Sequence, residues 1–498
     1  MTSGIFLLVY LVLMKMGDMA VSLQPNIVWI MADDLGWGEV EVFPANSTHG
    51  RISTPMLNQF AAEGMQFMNA YSGYSLCSPS RTAFFTGLHT GMFHKHKING
   101  YNLNQGQILT VAEVLKDAGY ETALFGKADP LNDPIGSGFD HFLGHSNRLD
   151  CRNMYARELD EGSGQCNYNL SLNWKEKSRS LCMENPDEYS YTIDVFQSKA
   201  LEWLDDYYVR SQMRQMTNQT HRPFFLFLSY TVPHAGDWID SAEETGAPVP
   251  TDGEYAVHDD WPDVEKDHAS AITYMDNYVG QLVSKLKTLE LDDNTITIFA
   301  SDNGAHYSGG HDYDFFDSSG GLRGAKSSLY EGGIRSPTLI RWPGHVPAGM
   351  VSELIWAFWD VFPTLSDLAG VDSNKLPHYL SGRSILPALL GEAELDEKYL
   401  FFTGDASEDS YAIRSGRWKG MVAECTMTPS LSDKMVLYDL IEDPHEENDV
   451  ASYFPDKVDY LKKLIASEDG ISCKCVSANT EKSDQCFIVP DPTQCSSD

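Results

Sequence analysis

Four short apolar runs punctuate the chain, at residues 26–32, 122–126, 224–228 and 295–300. They lack the polar and apolar alternation of a half-exposed strand, the pattern of strands buried on both faces. Helix-like stretches separate them, among them residues 110–118, with Gly119 as a C-cap, and the longer 267–289. This alternation predicts an α/β fold: a large, mostly parallel sheet with helices on both faces. Ligands of such folds gather at the carboxyl ends of the strands.

Each run ends in a group with chemical capability: Asp33 and Asp34 after the first, Lys127 after the second, His234 after the third, Asp302 and Asn303 after the fourth. A single carboxylate pair at a strand end is more often a helix cap or a solvated loop. Two such pairs on one rim make a hard, all-oxygen donor set. That set suits calcium, with magnesium as the alternative, and does not suit zinc.

After about residue 351 the pattern changes. Residues 355–370 read as a helix, 399–402 as a strand, 411–422 and 435–440 as an antiparallel meander, and 455–466 as a helix. We therefore divide the chain into a catalytic domain at 23–370, a smaller α+β domain with an antiparallel sheet at 371–467, and a cysteine-rich tail at 468–498. No internal repeat is visible.

Charge narrows the function classes. With 36 Lys and Arg against 71 Asp and Glu, the net charge is −35, which disfavours nucleic acid and anionic lipid as partners. The apolar run at 5–14, followed by Ala20-Val21-Ser22, predicts a signal peptide over residues 1–22. No later stretch reads as a membrane anchor. Sequons at Asn46, Asn169 and Asn218 fit glycosylation on a secretory route to an extracellular or lysosomal destination. Nine cysteines leave an odd one in an oxidising compartment. The sequence gives no oligomeric state.

Cys77-Ser78-Pro79-Ser80-Arg81 is the most informative stretch. Ser78 is expected to cap a helix whose first residue is Pro79, placing Cys77 at its positive end with Arg81 nearby. The motif resembles the signature of the sulfatases, of the alkaline-phosphatase-like superfamily, in which this cysteine becomes formylglycine. Further landmarks follow in order: 32–36, Gly126-Lys127, Pro233-His234, 301–304, 322–326, Tyr330-Glu331-Gly332-Gly333-Ile334-Arg335 and Leu437-Tyr438-Asp439-Leu440. The stretch 302–335 is most similar to the arylsulfatase A and N-acetylgalactosamine-6-sulfatase branch.

The resemblance implies a hydrated aldehyde at Cys77. One geminal hydroxyl attacks sulfur and expels the alcohol; the second loses a proton as sulfate leaves and the aldehyde reforms. It implies a cation held by Asp33, Asp34, Asp302, Asn303 and the converted Cys77, with Arg81, Lys127 and Lys326 as positive donors. His234 or Lys326 is the acid for the leaving alcohol. It also implies a formylglycine-generating enzyme as a maturation partner, and a sulfated carbohydrate or small sulfate ester as substrate. Setting Cys77 aside leaves eight cysteines, enough for up to four disulfides.

Two positions depart from the family pattern. Asp129 stands where a histidine is usual after Gly126-Lys127, so His145 or another group would have to compensate, and Glu39 replaces a common aspartate. Two other functions remain open: a phosphomonoester or phosphonate hydrolase of the same superfamily, and a non-catalytic sulfated-glycan-binding protein with unconverted Cys77.

Overall fold

The protein is described by a computed structural model covering residues 24–98, 100–103, 106–147, 154–155, 158–163, 166–171, 191–236, 246–404, 410–422 and 435–468. The expected signal peptide lies outside these residues, as does all of the expected cysteine-rich tail but Glu468. So do the cysteines available for disulfides, save the backbone of Cys166.

Ten strands form the large sheet. From edge to edge they are Met350–Ser352, Met65–Phe67, Thr338–Arg341, Thr295–Ser301, Asn26–Asp33, Phe224–Pro233, Glu121–Lys127, His141–His145, Glu158–Ser163 and Cys166–Ser171. The five from Thr295–Ser301 to His141–His145 are parallel, and antiparallel neighbours flank them on both sides. All four expected runs lie in this parallel centre. Within Asn26–Asp33, Ile27, Trp29 and Met31 enter one core while Val28, Ile30 and Ala32 enter the other. Helices Cys77–Thr86, Val111–Asp117 and Val361–Leu368 cover the first face. Pro55–Ala62, Thr192–Met216 and Asp263–Thr288 cover the second. With both faces covered, the strand has no solvent side, and this explains its unbroken apolar run.

Local chemistry sets the element ends. Thr110 Oγ1 accepts from the Glu113 amide (3.2 Å) while Glu113 returns the bond to the Thr110 amide (2.8 Å), so the helix starts at Val111. The expected helix over 355–370 is broken. Trp356–Ala357 is a short strand paired with Ala70–Tyr71, a 3-10 turn spans Phe358–Asp360, and the helix is only Val361–Leu368. Asp360 enforces the break by accepting from the Ala357 amide (2.9 Å).

The last four strands, Leu400–Thr403, Tyr411–Ser415, Trp418–Val422 and Met435–Asp439, form the antiparallel meander. One face, with Phe402, Ala412 and Met421, joins the first core of the large sheet. The other, with Ile413 and Leu437, packs under helix Pro455–Ser467.

A buried ionic cluster ties this sheet to the body of the molecule. Glu331 accepts from Tyr71 Oη (2.7 Å), Arg335 Nη2 (2.6 Å) and Lys419 Nζ (2.9 Å). Glu446 pairs with Lys419 (2.8 Å) and accepts from the Glu331 amide (2.7 Å), and Arg414 bonds Tyr71 Oη. Burial alone would raise the Glu331 carboxyl, but Lys419 and Arg335 outweigh it and hold it below its ordinary value.

Candidate active site

The carboxyl ends of the central strands meet on one rim. Asp33 closes its strand in register with Pro233, Ala32 pairs with Ser301, and Lys127 pairs with His145. Asp34 follows in the left-handed region, at φ +70°, a backbone state that costs energy for a side chain other than glycine and concentrates at functional sites. Two bonds hold the turn: the Asp34 amide donates to Asp302 Oδ1 (3.1 Å) and the Leu35 amide to Ser301 Oγ (3.0 Å). At Gly126 (φ +114°) an added Cβ would sit 1.9 Å from the Ser229 carbonyl oxygen, so only glycine lets the strand deliver Lys127 here.

The expected residues come together. Lys127 Nζ donates to Asp33 Oδ2 (2.8 Å) and Lys326 Nζ to Asp34 Oδ2 (2.6 Å). Asn303 Nδ2 donates to Asp34 Oδ1 (2.8 Å), and His234 Nε2 lies 3.6 Å from Asp34 Oδ2. His234 Nδ1 is 2.7 Å from the Ala235 carbonyl oxygen, a contact that makes Nδ1 the donor and turns Nε2 toward the rim. Arg81 is fully buried. Its Nε donates to Asp302 Oδ2 (2.8 Å) and Nη1 to Ser229 Oγ (2.6 Å), so its visible work is to orient Asp302.

Asp33, Asp34 and Asp302 present oxygens within 4.8 Å of one another. Among the described residues, Asp33 Oδ1 and Asn303 Oδ1 are buried without a hydrogen-bond donor. Orphaned oxygen acceptors in and beside this carboxylate group fit a hard divalent cation. The electrostatics are uneven. Burial would raise Asp33, but Lys127, His234, Arg81 and Lys326 hold it well below the carboxylate range. Asp302 is pushed up to about 7 by burial and by Asp33.

Cys77 projects to this rim, with Sγ 3.9 Å from Asp34 Oδ1, and burial pushes its thiol up despite Lys127 and Lys326. Its helix, Cys77–Thr86, begins two residues earlier than expected and has Leu76 at the cap. Ser78 is not the cap because its hydroxyl donates to Asp129 Oδ2 (2.6 Å). Asp129 therefore braces the first turn of the helix that carries Cys77. His145 does not supply the missing positive charge: buried against Phe196, it is pushed down to about 4 by burial and is neutral at pH 7.

The sequence reading gives Ser229 and Ser301 no role, although each directly follows an apolar run just as Asp33 does. Asn46 and Asn218 are exposed, as glycosylation requires, while the Asn169 side chain lies outside the described residues. No helix among the described residues is long and apolar enough to cross a membrane.

Comparison with known proteins gives concordant findings. A family model described as Sulfatase matches residues 25–371, and one described as N-sulphoglucosamine sulphohydrolase, C-terminal, matches residues 323–467. Human arylsulfatase A is 30% identical over 503 residues, covering 91% of this chain and 89% of the relative. Dog N-acetylgalactosamine-6-sulfatase is 30% identical over 417 residues, covering 79% and 71%. A solved structure from work on glycosaminoglycan metabolism by Bacteroides thetaiotaomicron superposes with a TM-score of 0.66 at 23% identity, covering 89% of this chain and 98% of that one.

Proposed function

The chain belongs to the sulfatase family and is a sulfatase, and from that premise we propose that it hydrolyses an O-sulfate ester with a formylglycine made from Cys77. One observation carries the reading: Cys77 meets a carboxylate rim whose buried oxygens Asp33 Oδ1 and Asn303 Oδ1 lack donors among the described residues. Asp33, Asp34, Asp302 and Asn303 would hold the cation, and their all-oxygen chemistry favours calcium. A cation bound there supplies Lewis acidity, lowering the pKa of a hydroxyl nucleophile and offsetting charge on sulfate oxygens.

The protein's own groups do the rest. Lys127 and Lys326, each anchored on a rim carboxylate, hold positive charge beside the reacting group, where the transition state is anionic. Arg81 keeps Asp302 in place. His234, with Nε2 toward the rim, delivers a proton to the departing alcohol when protonated; Lys326 is the other candidate. The Ser78–Asp129 bond fixes the helix turn that carries the nucleophile.

A sulfated carbohydrate is the proposed substrate class, supported by relatives named for N-acetylgalactosamine 6-sulfate chemistry. The charge of −35 disfavours long polyanions and favours small or chain-end substrates. Maturation by a formylglycine-generating enzyme on the secretory route belongs to the same proposal.

The test is the mass of the peptide containing Cys77, prepared from the native host with and without alkylation. Aldehyde or hydrate at this position, together with sulfate release from model esters, supports the assignment. An unmodified thiol in protein that binds sulfated sugars without releasing sulfate would replace it with the binding-protein reading.

A further inference from the structure

A second group of ligand-type side chains lies apart from the rim carboxylates. Glu39, on the turn after the first strand, meets His268 of helix Asp263–Thr288 and His311 of the loop beyond Asn303. All three are buried, and their ligand atoms lie within 4.8 Å of one another.

The hydrogen bonds orient these atoms. Glu39 Oε2 accepts from the Gly36 amide (2.6 Å), leaving Oε1 for the two histidines. His268 Nε2 is 2.5 Å from Oε1. His311 Nδ1 donates to Glu265 Oε2 (2.7 Å), and the other oxygen of Glu265 is held by the Asp312 amide (2.8 Å). With its proton on Nδ1, neutral His311 carries a lone pair on Nε2. That atom is buried, has no hydrogen-bond partner among the described residues, and lies 3.9 Å from Glu39 Oε1.

Two electron-rich atoms face one another there with nothing to bridge them. Protonating both histidines is a poor remedy, since their rings stack at 3.7 Å and 12° and two stacked cations repel. Burial and His268 both push His311 toward its neutral form. A carboxylate behind the far nitrogen of an imidazole is also the usual support of a metal-binding histidine.

We propose that Glu39 Oε1, His268 Nε2 and His311 Nε2 form a buried binding site for a transition-metal dication of the zinc type, distinct from the oxygen rim. Two imidazoles and one carboxylate suit zinc and do not suit calcium. Binding releases the proton shared by His268 and Glu39, and Glu265 orients His311 from behind. The ion would join the turn after Asp34, helix Asp263–Thr288 and the His311 loop at one point, a structural role independent of Cys77 conversion.

Full-length protein produced with zinc in the medium and dialysed against EGTA is analysed by elemental mass spectrometry. The expected result is about one zinc per folded chain, as for a site that loads during folding. Cys77→Ala should keep it, whereas His311→Ala should lose it. Glu265→Gln keeps the side-chain size but removes the orienting charge and turns one of the two acceptor oxygens into a donor; zinc affinity should fall about 10- to 100-fold. Each variant is checked by circular dichroism and gel filtration. If the variants do not fold, wild-type protein produced with cobalt decides the matter: intense visible bands of a low-coordinate Co(II) site are expected. Zinc-free and cobalt-free wild type, or folded His311→Ala and Glu265→Gln that hold zinc as wild type does, would overturn the site.

Discussion

The buried ionic cluster around Glu331 and the carboxylate rim are built to opposite rules. Around Glu331 both carboxylate oxygens are taken, by Tyr71, Arg335 and Lys419, and the cluster sits where the last four strands meet the body. On the rim, Lys127 and Lys326 each take only one oxygen of Asp33 and Asp34, while Asp33 Oδ1 and Asn303 Oδ1 remain without donors among the described residues. Neither burial nor charge density separates the two. Completeness of pairing at the central carboxylate does: Glu331 is closed and holds elements together, and the open rim keeps lone pairs ready for a ligand.

The sharpest way to break this contrast is at the nucleophile. Cys77→Ala should lower turnover by on the order of a millionfold, the scale of losing a covalent nucleophile, with little change in melting temperature. Normal turnover on a sulfate ester in that variant would sink the mechanism. In the closed cluster Glu331→Ala should do the reverse, destabilising the fold by about 3–5 kcal/mol by leaving Lys419 and Arg335 buried without their partner. Denaturant unfolding reads this, and a loss under about 1 kcal/mol would show the cluster to be dispensable.

Asp302→Asn joins the two ideas. It should weaken calcium binding and turnover together, yet in chelator at pH 8 it should not destabilise the fold as Glu331→Ala does. With its folded pKa raised to about 7, Asp302 contributes stability that is present below its ordinary value and lost as pH rises through about 7. Metal-free wild type should therefore lose stability between about pH 4 and 7, and Asp302→Asn should flatten that slope. Glu331 has the opposite sign. Its folded pKa is depressed, so its contribution is present above the ordinary glutamate value of about 4.5 and lost as pH falls through the folded value. The smallest effect is therefore a shallower acid limb for Glu331→Gln.

Part of the rim was legible in the sequence because Asp33 and Lys127 directly follow apolar runs and His234, Asp302 and Asn303 lie a few residues beyond theirs, positions that a parallel sheet brings to one edge. Cys77, Arg81 and Lys326 follow no such run and were reached through the motif resemblance. His141–His145 was missed as a strand because it is short and bounded by histidines. The break at 355–370 escaped because Asp360 acts as a local cap inside an apolar stretch that periodicity alone reads as continuous. The Ser78 cap failed because Asp129, fifty-one positions away, claims its hydroxyl. Glu331 was visible as a motif residue without a role, since Tyr71, Lys419 and Glu446 reach it from distant segments. Pairings of that kind leave no periodic trace.

The position of the first strand also governs when the protein can become itself during synthesis. Ile27 pairs with Phe225 on one side and Ile296 on the other, so the strand bearing Asp33 waits for two partners encoded far downstream. At about 5–20 residues per second, the ribosome needs on the order of ten seconds or more to supply both. Throughout that interval an apolar strand has no sheet to join, a hazard for chaperones to manage. The same delay would leave Cys77 reachable by the proposed formylglycine-generating enzyme before its helix is sealed into the core.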